Sequence, residues 1–246
     1  MNYLQLVQAL VSELGIAGAN NDGTIPSTVV AQTGQLRRAV KWITDSNNDI
    51  NILWTDWKYL YTDYAETLTV GSRTAPLHSG VEVVKRWDRE SFILDRSLSS
   101  FSHLSWMDWR AFKREILPGA HPTNQIPATI SSDTANLLHF NEPTNSAYTL
   151  NAGFWQRPVL LTLDADLPAM PEEYHRLIIM NAGLKYANKE DAPEILAGWE
   201  TEYIFMLDKL EGDQLPGREY ERMSSQDIDL VMDIPDAGDD YGGERF

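Results

Sequence analysis

The chain has no cysteine in 246 residues. That absence excludes disulfides, thiolate zinc sites, iron–sulfur clusters and a cysteine nucleophile. Positive charge is scarce: 20 Lys and Arg stand against 36 Asp and Glu, a net charge of -16. Phosphate binding draws its affinity from Lys and Arg, so this balance argues against a protein that grips nucleic acid and leaves open a surface that DNA slides past. No apolar run of about 18 residues exists to span a bilayer. The opening MNYLQLVQALVSEL lacks the basic start and small-residue cleavage site of a signal peptide, so synthesis in a cytoplasm is expected. Also missing are a Walker phosphate loop, a dinucleotide fingerprint, a Gly-x-Ser-x-Gly elbow and a His-Glu-x-x-His pair. The order of Ser, His and Asp proposes no triad.

What is present is globular usage, with 43% hydrophobic and 23% charged residues, enough for one sizeable core or two small ones. The charge is uneven. From Glu211 to Phe246 eleven acids face three arginines, 3 - 11 = -8, so half of the net charge lies in the last 36 residues. That stretch reads as solvated.

Helical spacing marks both ends of the body. Tyr3, Leu6, Val7, Leu10, Val11 and Leu14 predict a first helix from an Asn2 cap to Gly15. Leu36, Val40, Ile43, Asn47, Ile50, Trp54 and Trp57 form the seam of a long second helix capped near Thr33, with Asn47 its one polar member. Asn47 is expected as a satisfied or edge-lying amide. From about residue 61 the period changes: Leu68 with Val70, Val81 with Val83, Phe92 with Leu94, NLLHF and RPVLLTL are short strand candidates between turn residues. SHLSWMDWRAFKREI suits a short helix ending before Pro118. Helical spacing returns with Tyr174, Leu177, Ile178 and Leu184. Asp191, Pro193 and Glu194 then open a last helix bearing Trp199, Tyr203, Met206, Leu207 and Leu210. The expected fold is α+β, mainly a four-helix frame with a β-rich insert. The helical body takes 1–60 and 172–216, the insert 61–171, and an acidic extended C-terminal arm 217–246.

Two stretches come close to metal sites. In PEEYH, Glu172 and His175 have the Glu-x-x-His spacing of di-iron bundles, yet His78, His103, His121 and His139 lack a Glu three residues before them. The alternative is a helix start, with Pro171 in the first turn and two acids on the positive end of the dipole. DSNNDIN and the Asp56 that follows place Asp45, Asn47, Asp49, Asn51 and Asp56 at calcium-loop positions, but Ile50 stands where the loop needs Gly, which favours a polar helix face. Asp164 with Asp166 and Asp239 with Asp240 are paired acids beside turns or in the charged tail. Trp54, Trp57, Trp106, Trp109 and Trp199 suit core or subunit contacts better than sugar or base stacking. No catalytic residue, cofactor or metal is assigned.

Past residue 217, QDIDLVMDIPD places Ile228, Leu230, Met232 and Ile234 at strict two-residue spacing. Alternation marks a strand with one apolar face, which needs a sheet edge to receive it. These four residues are the candidate docking site of an arm that adds to a neighbouring subunit or to a partner.

The stretches MNYLQLVQAL, TGQLRRAVKWI, WTDWKYLY, VEVVKRWDRESFIL and LPAMPEEYHRLIIMNAGLKYANKEDAPE occur in this order over residues 2 to 210. Together they resemble the head-to-tail connector adaptors of tailed bacteriophages, most of all the adaptor family of short-tailed phages similar to SU10. The resemblance implies a structural, non-enzymatic virion protein at the head-to-tail junction: a dodecameric ring beneath the portal protein that extends the DNA channel and offers a surface to a tail or nozzle protein. DNA would pass without specific binding. The rival readings are a carboxylate-metal or glycan-processing enzyme, and a virion decoration or tail-fibre module.

Overall fold

The computed structural model describes residues 1–16, 25–76, 84–97, 100–119, 123–190 and 192–215. Among these, the helices are α1 (Tyr3–Leu14), α2 (Gly34–Leu53), α3 (Trp109–Glu115), α4 (His175–Glu190) and α5 (Pro193–Gln214). The strands are β1 (Tyr61–Thr67), β2 (Val84–Trp87), β3 (Ile93–Ser97), β4 (Ser100–His103), β5 (Ser105–Trp106), β6 (Thr129–Ser132), β7 (Leu138–Phe140) and β8 (Thr149–Gln156). The architecture is the α+β mixture expected from the periodicities. Val81, Val83, His78, His121, Asp191 and the arm with Ile228, Leu230, Met232 and Ile234 lie outside the described residues. Among the described residues no helix is long and apolar enough to cross a membrane.

Helix α1 starts as its sequence dictates. Asn2 Oδ1 accepts from Gln5 N and Gln5 Oε1 accepts from Asn2 N, both at 2.9 Å, a closed capping box. Gly15 ends it at φ 61, a left-handed position that costs glycine little. The apolar faces of α1, α2 and α4 meet in one core through Leu6, Leu10, Ile43, Ile50, Leu177 and Ile178, which α5 closes with Leu210.

Strand β8 is the axis of the five-stranded sheet. β1 pairs along its whole length, from Tyr61 opposite Trp155 to Thr67 opposite Thr149. On its other side β3 pairs with residues 149 to 151 and β2 with residues 154 to 156, and β4 lies outside β3. A second sheet runs β5, β6, β7, the first pair parallel and the second antiparallel. Both sheets bury their inner faces in a second core holding Tyr64, Trp87, Phe92, Ile130, Phe140 and Phe154.

Three expectations are corrected here. RPVLLTL is not a strand: the chain leaves β8 at Gln156 and runs irregularly through 157–171. At the end of RPVLLTL the Thr162 and Leu163 N–H groups donate to the Asp166 carboxylate, and the Asp164 and Asp166 carbonyls accept from the start of α1. The central strand is TLNAGFWQ, where Asn151, Ala152 and Gly153 hide a strand from propensity. Gly153 leaves room there for the Tyr61 ring lying diagonally across it, which a Cβ would push aside. Helix α2 also stops at Leu53, so Trp54 is exposed while Trp57 reaches the core from beyond the helix end. Finally, Asn47 is neither at an edge nor satisfied. It is 1% exposed, and its Nδ2 finds no hydrogen-bond partner among the described residues.

Candidate docking surface

The Glu-x-x-His pair lies at the start of α4. Pro171 precedes a single 3-10 turn, Glu172–Tyr174, and His175 opens the α-helix. His175 is buried. Its Nε2–H donates to Met170 O at 3.0 Å, which leaves Nδ1 to accept from the Met1 amine at 2.8 Å. The same amine donates to Glu172 Oε1 at 2.9 Å and holds that carboxyl below its ordinary range. Burial, helped by the nearby ammonium, pushes the His175 imidazole below its usual value. Both ring nitrogens are thus engaged, and Nδ1 with one Glu172 oxygen ties the N-terminus ahead of α1 to the start of α4.

The DSNNDIN stretch is uninterrupted helix up to Leu53. Asp49 pairs with Lys185 Nζ at 2.5 Å, binding α2 to α4. Asn51 points inward, donating to Asn47 O at 2.7 Å and accepting from Tyr59 Oη at 3.0 Å. A helix face that was expected to be polar surface is therefore partly core. His139 makes a 3.2 Å contact with Asp133 and lies 4.8 Å from the Trp109 ring, and His103 packs edge-on to Phe101. The tryptophans serve packing: Trp57 stacks on Tyr59, Trp106 on Phe92, and Trp199 fills the space beside Gly183. Among the described residues no three His, Asp or Glu side chains group to hold a metal ion.

The irregular segment 157–171 has the most unusual surface. Asp164 and Asp166, singled out by sequence as paired acids, are structural acceptors. Asp164 Oδ1 accepts from Val29 N at 2.6 Å and Thr28 Oγ1 at 3.1 Å. Asp166 Oδ2 accepts from Thr162 N at 2.6 Å and Leu163 N at 2.7 Å, and these N–H donors hold its carboxyl below the usual range. The Asp166 and Asp164 carbonyls take the Tyr3 and Leu4 N–H groups at 2.8 and 3.2 Å, satisfying donors that the first turn of α1 cannot pair internally. With the backbone so fixed, Leu161 enters the helical core while Val159, Leu160, Leu163 and Leu167 stay between 58 and 66% exposed.

This arrangement has the attributes of a binding surface: apolar side chains on a loop anchored at both flanks. Sequence reasoning missed it because an apolar run reads as a buried strand. The available signal was Pro158 at its head and the Asp-x-Asp that follows. The arm residues Ile228, Leu230, Met232 and Ile234 cannot be placed against it from the described residues.

No curated protein matches the chain. The family model of the SU10 adaptor protein matches residues 1–227, the four helices and the whole insert included, and the chain belongs to that family of phage structural adaptors.

Proposed function

We propose that this adaptor works in the head-to-tail connector, as a ring bound beneath the portal protein that extends the DNA channel and presents a surface to a tail or nozzle protein. The family match over residues 1–227 is the observation that carries this reading. The net charge of -16 supports it, because a channel that repels phosphate lets packaged DNA pass without adhesion. Two separate cores, one helical and one β, suit a subunit that must meet partners on several sides. The function proposed is assembly, with no catalytic step, and the site is the virion junction. In this reading Ile228, Leu230, Met232 and Ile234 are the apolar face of the arm that docks on the portal or on a neighbouring copy, Pro235 ending the strand.

The ring forms on the portal as template, since like-charged subunits resist closing by themselves. The test is to mix purified protein with assembled portal and weigh the product by native mass spectrometry. A complex carrying a closed ring of copies is expected, twelve by family resemblance, with monomer when portal is omitted. Failure to associate with any portal particle overturns the connector assignment, and a stable ring without portal overturns templating.

A further inference from the structure

We propose that neighbouring copies of this chain meet helix to helix, the outer stripe of α5 on one copy seated against the outer stripe of α2 on the next. This rests on the ring reading above and names the two faces that would close it. On α5, Trp199, Tyr203, Met206 and Leu210 turn toward the helical core. The opposite side carries Ile204 and Phe205, 59 and 72% exposed, the latter the most exposed large apolar side chain among the described residues. Thr201 and Ala197 lie exposed on the same stripe one and two turns earlier, and their small side chains permit a close crossing.

On α2, Leu36, Ala39, Ile43 and Ile50 face the core, while Arg37, Lys41 and Ile52 fall on one outward stripe of the helix. Ile52 is 66% exposed. Arg37 and Lys41 are exposed too, and neither has a hydrogen bond or ion pair among the described residues. Of the two acids on α2, Asp49 is taken up by Lys185 and Asp45 is only partly exposed, so positive charge prevails on the outer stripe. In a chain with 36 acids against 20 bases, two cations one helical turn apart are left for a carboxylate from outside.

Helix α5 has the complementary charge. It bears six acids and one lysine, and exposed Glu200 and Asp208 flank Ile204 and Phe205 about one turn to either side. Each stripe therefore joins apolar side chains to charge of one sign, negative on α5 and positive on α2. Both point away from the core that the two helices share, and α4 packs against both helices, so the stripes cannot meet within one molecule. A second copy brings them together. Because the two faces differ, the contact is heterologous: each copy uses α5 toward one neighbour and α2 toward the other, the arrangement that propagates around a ring. A net charge of -16 on each copy keeps the contact weak in the free protein, and a template that holds copies side by side strengthens it.

The absence of cysteine makes the test direct. A nitroxide is placed on Ala197→Cys of the full chain, and this protein is mixed with an isotope-labelled copy that carries no nitroxide. The total concentration is about 1 mM, where a contact of millimolar Kd is well populated. Broadening of the Arg37, Lys41 and Ile52 resonances in the isotope-labelled copy is expected. Arg37→Glu with Lys41→Glu in that copy should reduce it by on the order of tenfold, and Glu200→Lys with Asp208→Lys in the nitroxide copy should restore it. Broadening at Ile204 and Phe205 instead assigns α5 to a symmetric pair and overturns the proposal. An unchanged signal after the first charge reversal, a loss that the second does not rescue, or no broadening at all overturns it as well. No portal is present, so these outcomes bear on the contact alone, and portal association, weighed separately by native mass spectrometry, decides the connector reading.

Discussion

The ring of Trp199 in α5 lies where a side chain on Gly183 of α4 would have to be. The two helices approach closely at this point because one contributes no Cβ, and the indole covers the bare backbone. Gly183→Ala gains about 1 kcal/mol of helix propensity and loses about 1–3 kcal/mol to overpacking. Net destabilisation of up to about 2 kcal/mol in urea unfolding is expected. Gly198→Ala in α5 is the control: a Cβ there meets open space, so it should stabilise by about 0.5–1 kcal/mol. If both substitutions stabilise, α5 does not pack on α4 through this pair.

His175 gives the protein a pH dependence of predictable sign. Its folded pKa lies below the ordinary 6.5, chiefly through burial and further through the Met1 ammonium, against the opposing Met170 carbonyl. Between the folded and unfolded values the unfolded chain binds more protons, so stability is whole above about 6.5 and falls as pH drops toward the folded value. His175→Asn should be less stable at pH 7.5 and should lose less than the wild type between pH 7 and 5. Denaturation free energies at the two pH values measure this. Equal slopes in both proteins would show that folding leaves the imidazole pKa where it is in the unfolded chain.

Asn47 has a buried amide whose Nδ2 finds no partner among the described residues, while its Oδ1 accepts only a long 3.3 Å bond from Asn51. A buried donor left without a bond costs about 1–3 kcal/mol. Asn47→Leu, flanked by Ile43 and Ile50 on the same seam, is expected to raise stability by about 1 kcal/mol, read as a higher urea midpoint at unchanged slope. A loss of stability would mean that the amide has a partner in the folded protein.

How far the sequence discloses this molecule depends on whether a residue's neighbours are local. The capping box of Asn2 with Gln5 and the stop at Gly15 act within a few residues, so α1 is readable almost to the residue. The sheet is less readable because β8 derives its strand character from β1, β2 and β3. Its own Asn151, Ala152 and Gly153 advertise a loop, and only the Tyr61 ring across Gly153 explains the glycine. The PEEYH stretch read correctly as a helix start, but the Met1 amine between Glu172 and His175 spans more than 170 residues and left no local trace. For the docking surface, Leu160 and Leu163 look like core by composition, and only the anchoring of Asp164 and Asp166 turns them outward.

Duplex DNA is expected to leave this protein untouched at physiological salt, given 36 acids against 20 bases. Filter retention or anisotropy with a labelled duplex checks it. Tight binding that weakens steeply with added salt would reveal a basic surface and would oppose a channel that DNA traverses without adhering.

The chain leaves the helical frame at Tyr61 and returns just after Trp155, and these two residues face each other across the ladder. Directly opposed residues stand only about 5 Å apart, so the whole insert hangs from a doorway one strand-pair wide. The frame fastens that doorway by the 2.6 Å ion pair of Asp56 with Arg86, whose guanidinium in turn lies 4.3 Å over the Trp155 ring inside the insert. For evolution this is a socket: the segment between Tyr61 and Trp155 could lengthen, shrink or be exchanged for another lobe while the four helices keep their positions. Sequence change in the lobe is thereby uncoupled from sequence change in the frame.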